Sequence, residues 1–71
     1  MAIDICARLG RRLVQLREQR RWDQADLAAQ SGIGRVHISQ LENGKEEVGL
    51  RTLEILAISF ELSVSELLRD V

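Results

Sequence analysis

The stretch Gln24–Asn43, QADLAAQSGIGRVHISQLEN, reads as two short helices joined by one tight turn, and the rest of the chain reads as its support. Leu27 and Ala28 are apolar in the first half, Ile33 is apolar in the turn, and Ile38 and Leu41 recur at three-residue spacing in the second half. That spacing marks the inner face of a helix pair. Gly32 stands where the first helix must stop and the chain reverse, a place that favours φ > 0 and therefore glycine. Ala28 is small where two steeply crossed helices bring their backbones together. These requirements coincide in a helix-turn-helix, whose second helix is presented to the major groove of DNA. The plainer alternative is an ordinary αα-hairpin inside a small bundle, which has no need of all these features at once.

The second helix of the pair is predicted over Arg35–Glu42, with Gly34 as a cap that brings no side chain. Helical periodicity points Ile38 and Leu41 inward and Arg35, Val36, Ser39, Gln40 and Asn43 the opposite way. The outer set has the chemistry of base reading: Arg35 can chelate guanine O6 and N7, Gln40 can pair with purine edges, and Val36 can press on a thymine methyl. Ser39 is short enough for a base or a phosphate. His37 falls on the flank, where packing or a phosphate contact suits it better than metal binding or catalysis. At the front of the pair Asp23 is the expected N-cap, with Asp26 three residues on, and both acids complement the positive end of the helix. Gln24, in the first turn, can donate to a phosphate that the neighbouring backbone N–H groups also face; a merely exposed polar residue is the alternative.

Upstream, Ile5, Leu9, Leu13 and Leu16 recur at helical spacing and predict an amphipathic first helix over residues 3–20. Gly10 costs that helix about 1 kcal/mol against alanine and marks either close packing or tolerated slack. Arg8, Arg11 and Arg12 read as solvated surface, any of which could reach a phosphate, as do Arg20 and Arg21. Trp22 is expected over the junction of the first two helices. Downstream, the loop Glu46–Gly49 leads to a fourth helix over Leu50–Phe60 with the stripe Leu50, Leu53, Leu56, Ala57 and Phe60. Ser63 and Glu66 form a capping box for a fifth helix with Val64 and Leu67 inward. Ile55 and Ile58 fall off the core stripe, and Leu68 and Val71 lie beyond the inward pair. Burying such residues is worth about 1.5–3 kcal/mol each, so these four predict a two-fold homodimer interface on the C-terminal helices. Packing of Ile55 and Ile58 against the fifth helix is the alternative.

Seventy-one residues with 45% hydrophobic and 30% charged content fit one all-α domain over 1–71 and exclude a disordered tail. Cys6 is alone, no Cys/His spacing suits a metal, and no apolar run approaches the roughly 20 residues of a membrane span. The N-terminus MAIDICARLGRR lacks the pattern of a secretory signal. The expectations are therefore a cytoplasmic protein, with no metal, no cofactor and no membrane. His37 and Cys6 have no evident partners and no carboxylate pair falls in a foreseeable cleft, which argues against an enzyme. The net charge of −1 divides into +3 over residues 1–45 and −4 over residues 46–71. A basic portion facing phosphates and an acidic portion facing away suit a small nucleic-acid reader.

Taken together, Asp23-Gln24-Ala25-Asp26-Leu27-Ala28, Ser31-Gly32-Ile33, Ile38 to Lys45 and Leu50-x-Thr52-Leu53 resemble the lambda-repressor-like, or Xre-type, helix-turn-helix regulators over about residues 8–68. The resemblance implies a five-helix DNA-binding fold. It implies DNA-backbone contacts by Gln24, Asn43 and Lys45, with base reading by Arg35, Val36, Ser39 and Gln40. It also implies an ion pair between Arg17, late in the first helix, and Glu42, before the Asn-Gly turn. Gly34 departs from the usual serine or threonine cap, Val48 from a common proline, and Glu61 from a glycine that often ends the fourth helix. Ile55 and Ile58 stand where exposed charges are common. The functional expectation is a transcriptional regulator that binds a palindromic operator as a homodimer. An antitoxin that also binds a toxin, and an interaction adaptor that has lost DNA binding, are the alternatives.

Overall fold

The computed structural model describes residues 3–71, so the first two residues of the expected domain lie outside it. The elements are α1 (Ile5–Gln19), α2 (Gln24–Ser31), α3 (Arg35–Glu42), α4 (Leu50–Ser59) and α5 (Val64–Leu67), with no strand among the described residues. Asp4 caps α1 by accepting from the Cys6 N–H at 2.9 Å, which fixes the start two residues later than periodicity indicated. α3 packs on α1 and α2, while α4 packs on α2 and α5. Leu9, Leu13, Leu16, Leu27, Ile38, Leu41, Leu56, Ala57, Phe60 and Leu67 make one buried core, with Trp22, Ala28 and Ile33 against it.

Three expected core positions are corrected. Leu50 is 82% exposed, Ile5 58% and Val64 36%. Each is the first residue of its helix. A side chain there has no preceding turn beside it, so periodicity overstates its burial. Leu68 and Val71 depart in the other direction: both are half-buried against the core, whereas Ile55 and Ile58 remain exposed. Ile55 and Ile58 are thus not covered by α5.

Gly10 is a point of contact between helices. A Cβ there would overlap the Glu42 carbonyl oxygen and stand 2.7 Å from that of Leu41. Gly44, just past α3, meets the same helix at φ +69°, with a would-be Cβ 2.7 Å from the Ala7 Cα. α1 and the end of α3 therefore touch backbone to backbone.

Helices α1, α3 and α4 end in the same hydrogen-bonded reversal, with a left-handed residue just past the helix: Arg21, Gly44 and Glu61. At the end of α4 the Leu62 N–H donates to Ala57 O at 2.8 Å and the Glu61 N–H to Ile58 O at 2.9 Å. Glu61 takes φ +58° without being glycine, because satisfying two orphan carbonyls offsets the left-handed penalty of about 1–2 kcal/mol.

The expected surface arginines are also corrected, since Arg8, Arg12 and Arg20 are anchored to main-chain carbonyls. Arg8 Nε donates to Val71 O at 2.7 Å, and Arg12 donates to Leu67 O at 3.0 Å and Glu66 O at 2.9 Å. Arg20 donates to Phe60 O at 2.6 Å and lies over the stacked rings of Trp22 and Phe60, whose centroids are 5.6 Å apart. These bonds tie the C-terminal segment to α1. A five-helix fold with a four-residue last helix needs them, because α5 is too short to satisfy its own carbonyls.

Candidate nucleic-acid interface

The helix pair is built by local chemistry. Asp23 accepts from the Asp26 N–H at 2.8 Å, and Asp26 accepts from the Asp23 N–H at 2.9 Å, closing a capping box at the start of α2. The backbone N–H of Asp26 on the Asp23 carboxylate holds that group below the ordinary carboxylate range, with the charge of Arg35 adding to it. α2 stops at Gly32, φ +75°. Gly34 then caps α3 with no side-chain bond.

On α3, Ile38 and Leu41 are buried, Arg35 and Val36 are exposed, and Ser39 and Gln40 are half-buried. Val36 is 74% exposed, a large apolar side chain left facing solvent on the outer face. Asn43 and Lys45 are exposed just past the helix. The expected outer set therefore shares one surface.

Several of its side chains already have partners. The Gln24 amide donates to Glu42 Oε1 at 3.0 Å, which ties it into the helix clamp. The Asn43 amide turns back onto α3 and donates to Ser39 O at 2.8 Å. His37 Nε2 lies 3.0 Å from Glu46 Oε2, so its flank position is occupied by a contact with the following loop. None of these pairings was legible in the sequence, since each joins a polar residue to one of several equivalent neighbours.

Arg17 and Glu42 meet, with Nε to Oε2 at 2.7 Å and Nη2 to Oε1 at 3.1 Å. Arg17 also donates to Trp22 O at 2.9 Å. The pair fastens the end of α3 to α1 beside Gly10, and so sets how far α3 stands out from the body.

The chain matches the helix-turn-helix family (HTH_3) over residues 13–67. It belongs to that family. This helix-turn-helix protein is a DNA-binding transcriptional regulator, in keeping with its relatives and neighbours. It is 36% identical over 69 residues to Control protein C.MunI of Mycoplasma sp, covering 96% of this chain and 93% of that one. Its fold matches the crystal structure of the restriction-modification controller protein C.AhdI from Aeromonas hydrophila, with TM-score 0.83, 31% identity, and coverage of 87% and 94%. It also matches hypothetical transcription factor NHTF from Neisseria, with TM-score 0.85, 28% identity, and coverage of 92% and 75%. No helix among the described residues of this helix-turn-helix protein is long and apolar enough to cross a membrane.

Proposed function

We propose that the protein binds a palindromic operator as a homodimer, with α3 of each protomer in a major groove, and controls genes of a restriction–modification system. The observation that carries the reading is the outer face of α3, where Arg35 and Val36 are exposed and carry no packing role. Arg35 reads guanine, Val36 a thymine methyl, and Ser39 and Gln40 the neighbouring base edges. Lys45 contacts the backbone, and Gln24, His37 and Asn43 join it by exchanging their present partners for phosphates.

The dimer reading is supported by Ile58, 67% exposed, and Ile55, 40% exposed, on α4. Leu68 and Val71 contribute by holding α5 in place. The gene context is supported by C.AhdI, a restriction-modification controller protein matched over nearly its whole length. Acting on DNA, and carrying one free thiol, the protein works in the cytoplasm as a binding protein, not an enzyme.

Selection of bound duplexes from a random pool tests this reading. A two-fold symmetric motif with half-sites about 10 bp apart is expected. An asymmetric single site, or no enrichment, would overturn it.

A further inference from the structure

An apolar groove of about 360 Å³ opens between the first turn of α1, the 46–49 loop, α4 and the C-terminal segment. Leu9, Val48, Leu53 and Leu68 form its walls, with exposed Ile5 at the edge. No residue of α3 lines it, so it is separate from the DNA-reading face. Its size falls in the range of small-ligand sites.

The polar side chains that line the groove are acidic or neutral, and the Arg8 guanidinium reaches its edge only at Val71 O, which it bonds at 2.7 Å. Glu47 lines it from the loop, and Cys6 lines it from α1 beside Asp4, whose carboxylate accepts the Cys6 N–H at 2.9 Å. The Cys6 thiol acts as an internal probe of this environment. Burial pushes its pKa up, and the charges of Asp4 and Glu47 push it further in the same direction. The contribution of Asp4 and Glu47 would disfavour any anion, whereas the larger contribution of burial disfavours a charge of either sign and leaves the exposed rim at Glu47 as the place for a head group. Among the described residues Arg17 pairs with Glu42 and His37 lies against Glu46, and none of them gives Glu47 a cationic partner.

We propose that the groove binds a small organic cation with an unbranched apolar tail, the tail lying along Leu9, Val48, Leu53 and Leu68 and the ammonium group resting at Glu47. Apolar walls supply the affinity, and the carboxylate selects the sign of the head group. An alcohol keeps the first of these and lacks the second; a carboxylate meets repulsion.

Titration of the full chain with n-hexylammonium chloride, hexanol and hexanoate at low ionic strength, followed through amide NMR spectra, tests the proposal. Hexylammonium should shift the amides of Cys6, Leu9, Glu47, Val48 and Leu53, saturating in the millimolar range expected for so small a ligand. It should bind about two- to fivefold more tightly than hexanol, with hexanoate weakest. Glu47→Gln, a surface change that leaves the core alone, should equalise amine and alcohol. Val48→Phe should fill the groove and abolish binding of both. Equal binding of the three probes, shifts centred on α3 or on Ile58, or an amine preference that survives Glu47→Gln would each overturn it.

Discussion

Glu42, its side chain 4% exposed, gives both carboxylate oxygens to Arg17, 15% exposed, in a two-pronged ion pair across 25 residues of sequence. The Gln24 amide shares one of those oxygens. Removing one member of so enclosed a pair leaves the other charge uncompensated, at a cost of about 3–5 kcal/mol. Glu42→Ala should therefore lower the melting temperature by more than about 10 °C in a domain of this size. Thermal unfolding followed by circular dichroism checks this, and an unchanged melting curve would show that the pair contributes nothing.

Gly10 sets helix propensity against packing. In an exposed helix Gly→Ala gains about 1 kcal/mol. Here the added methyl would run into the Glu42 carbonyl, and forced overpacking costs about 1–3 kcal/mol. Gly10→Ala should thus destabilise in urea denaturation. A stabilised variant would mean that α1 and α3 stand further apart than this.

Acid should weaken two helix starts. Asp23 is held below the ordinary carboxylate range chiefly by the Asp26 backbone N–H, and Glu66 by the Ser63 backbone N–H. A group whose folded pKa is depressed adds stability that is complete above its unfolded pKa, near 4, and is lost as pH falls through the folded value. The melting temperature should accordingly drop as pH falls below about 4. The double variant Asp23→Asn with Glu66→Gln should melt lower at neutral pH and show a shallower acid limb; a limb parallel to that of the unsubstituted protein would count against these caps.

Arg35 and Lys45 should fail in different ways. Arg35→Ala is expected to cost about 1–3 kcal/mol on the best operator and to relax preference at one or two bases. Lys45→Ala should weaken all sequences alike and reduce the salt slope by about one unit per half-site. Binding measured over a panel of operator variants and salt concentrations separates the two. If both substitutions scaled every sequence by one factor, α3 would not be the reading helix.

Ile58 and Leu68 offer a matching contrast at the proposed dimer interface. Ile58 is exposed and Leu68 packs on the core. Ile58→Glu should yield a folded monomer with normal helical content and weak operator binding, whereas Leu68→Glu should lower stability in monomer and dimer alike. Sedimentation together with circular dichroism distinguishes them, and an Ile58→Glu protein that stays dimeric would move the interface elsewhere.

The sequence by itself determined the elements whose causes lie within a turn or two of chain. Leu27, Ile38 and Leu41 declare an inner face through their spacing, Gly32 a stop through its freedom at positive φ, and Asp23 with Asp26, or Ser63 with Glu66, a helix start through bonds three residues apart. The outer set on α3 was legible for the same reason, since one helix fixes which residues share a side. Tertiary structure decided what depends on distant neighbours. Whether Gly10 was slack or contact rested on where Glu42 lay, and Arg12 became a latch because Leu67 O came within 3.0 Å across 55 residues. Leu50, Ile5 and Val64 looked inward by periodicity and stayed exposed, while Leu68 and Val71 looked outward and packed inward. Periodicity gives a residue's direction around its own helix axis; burial depends on whether another element stands in that direction, and only the folded chain supplies it.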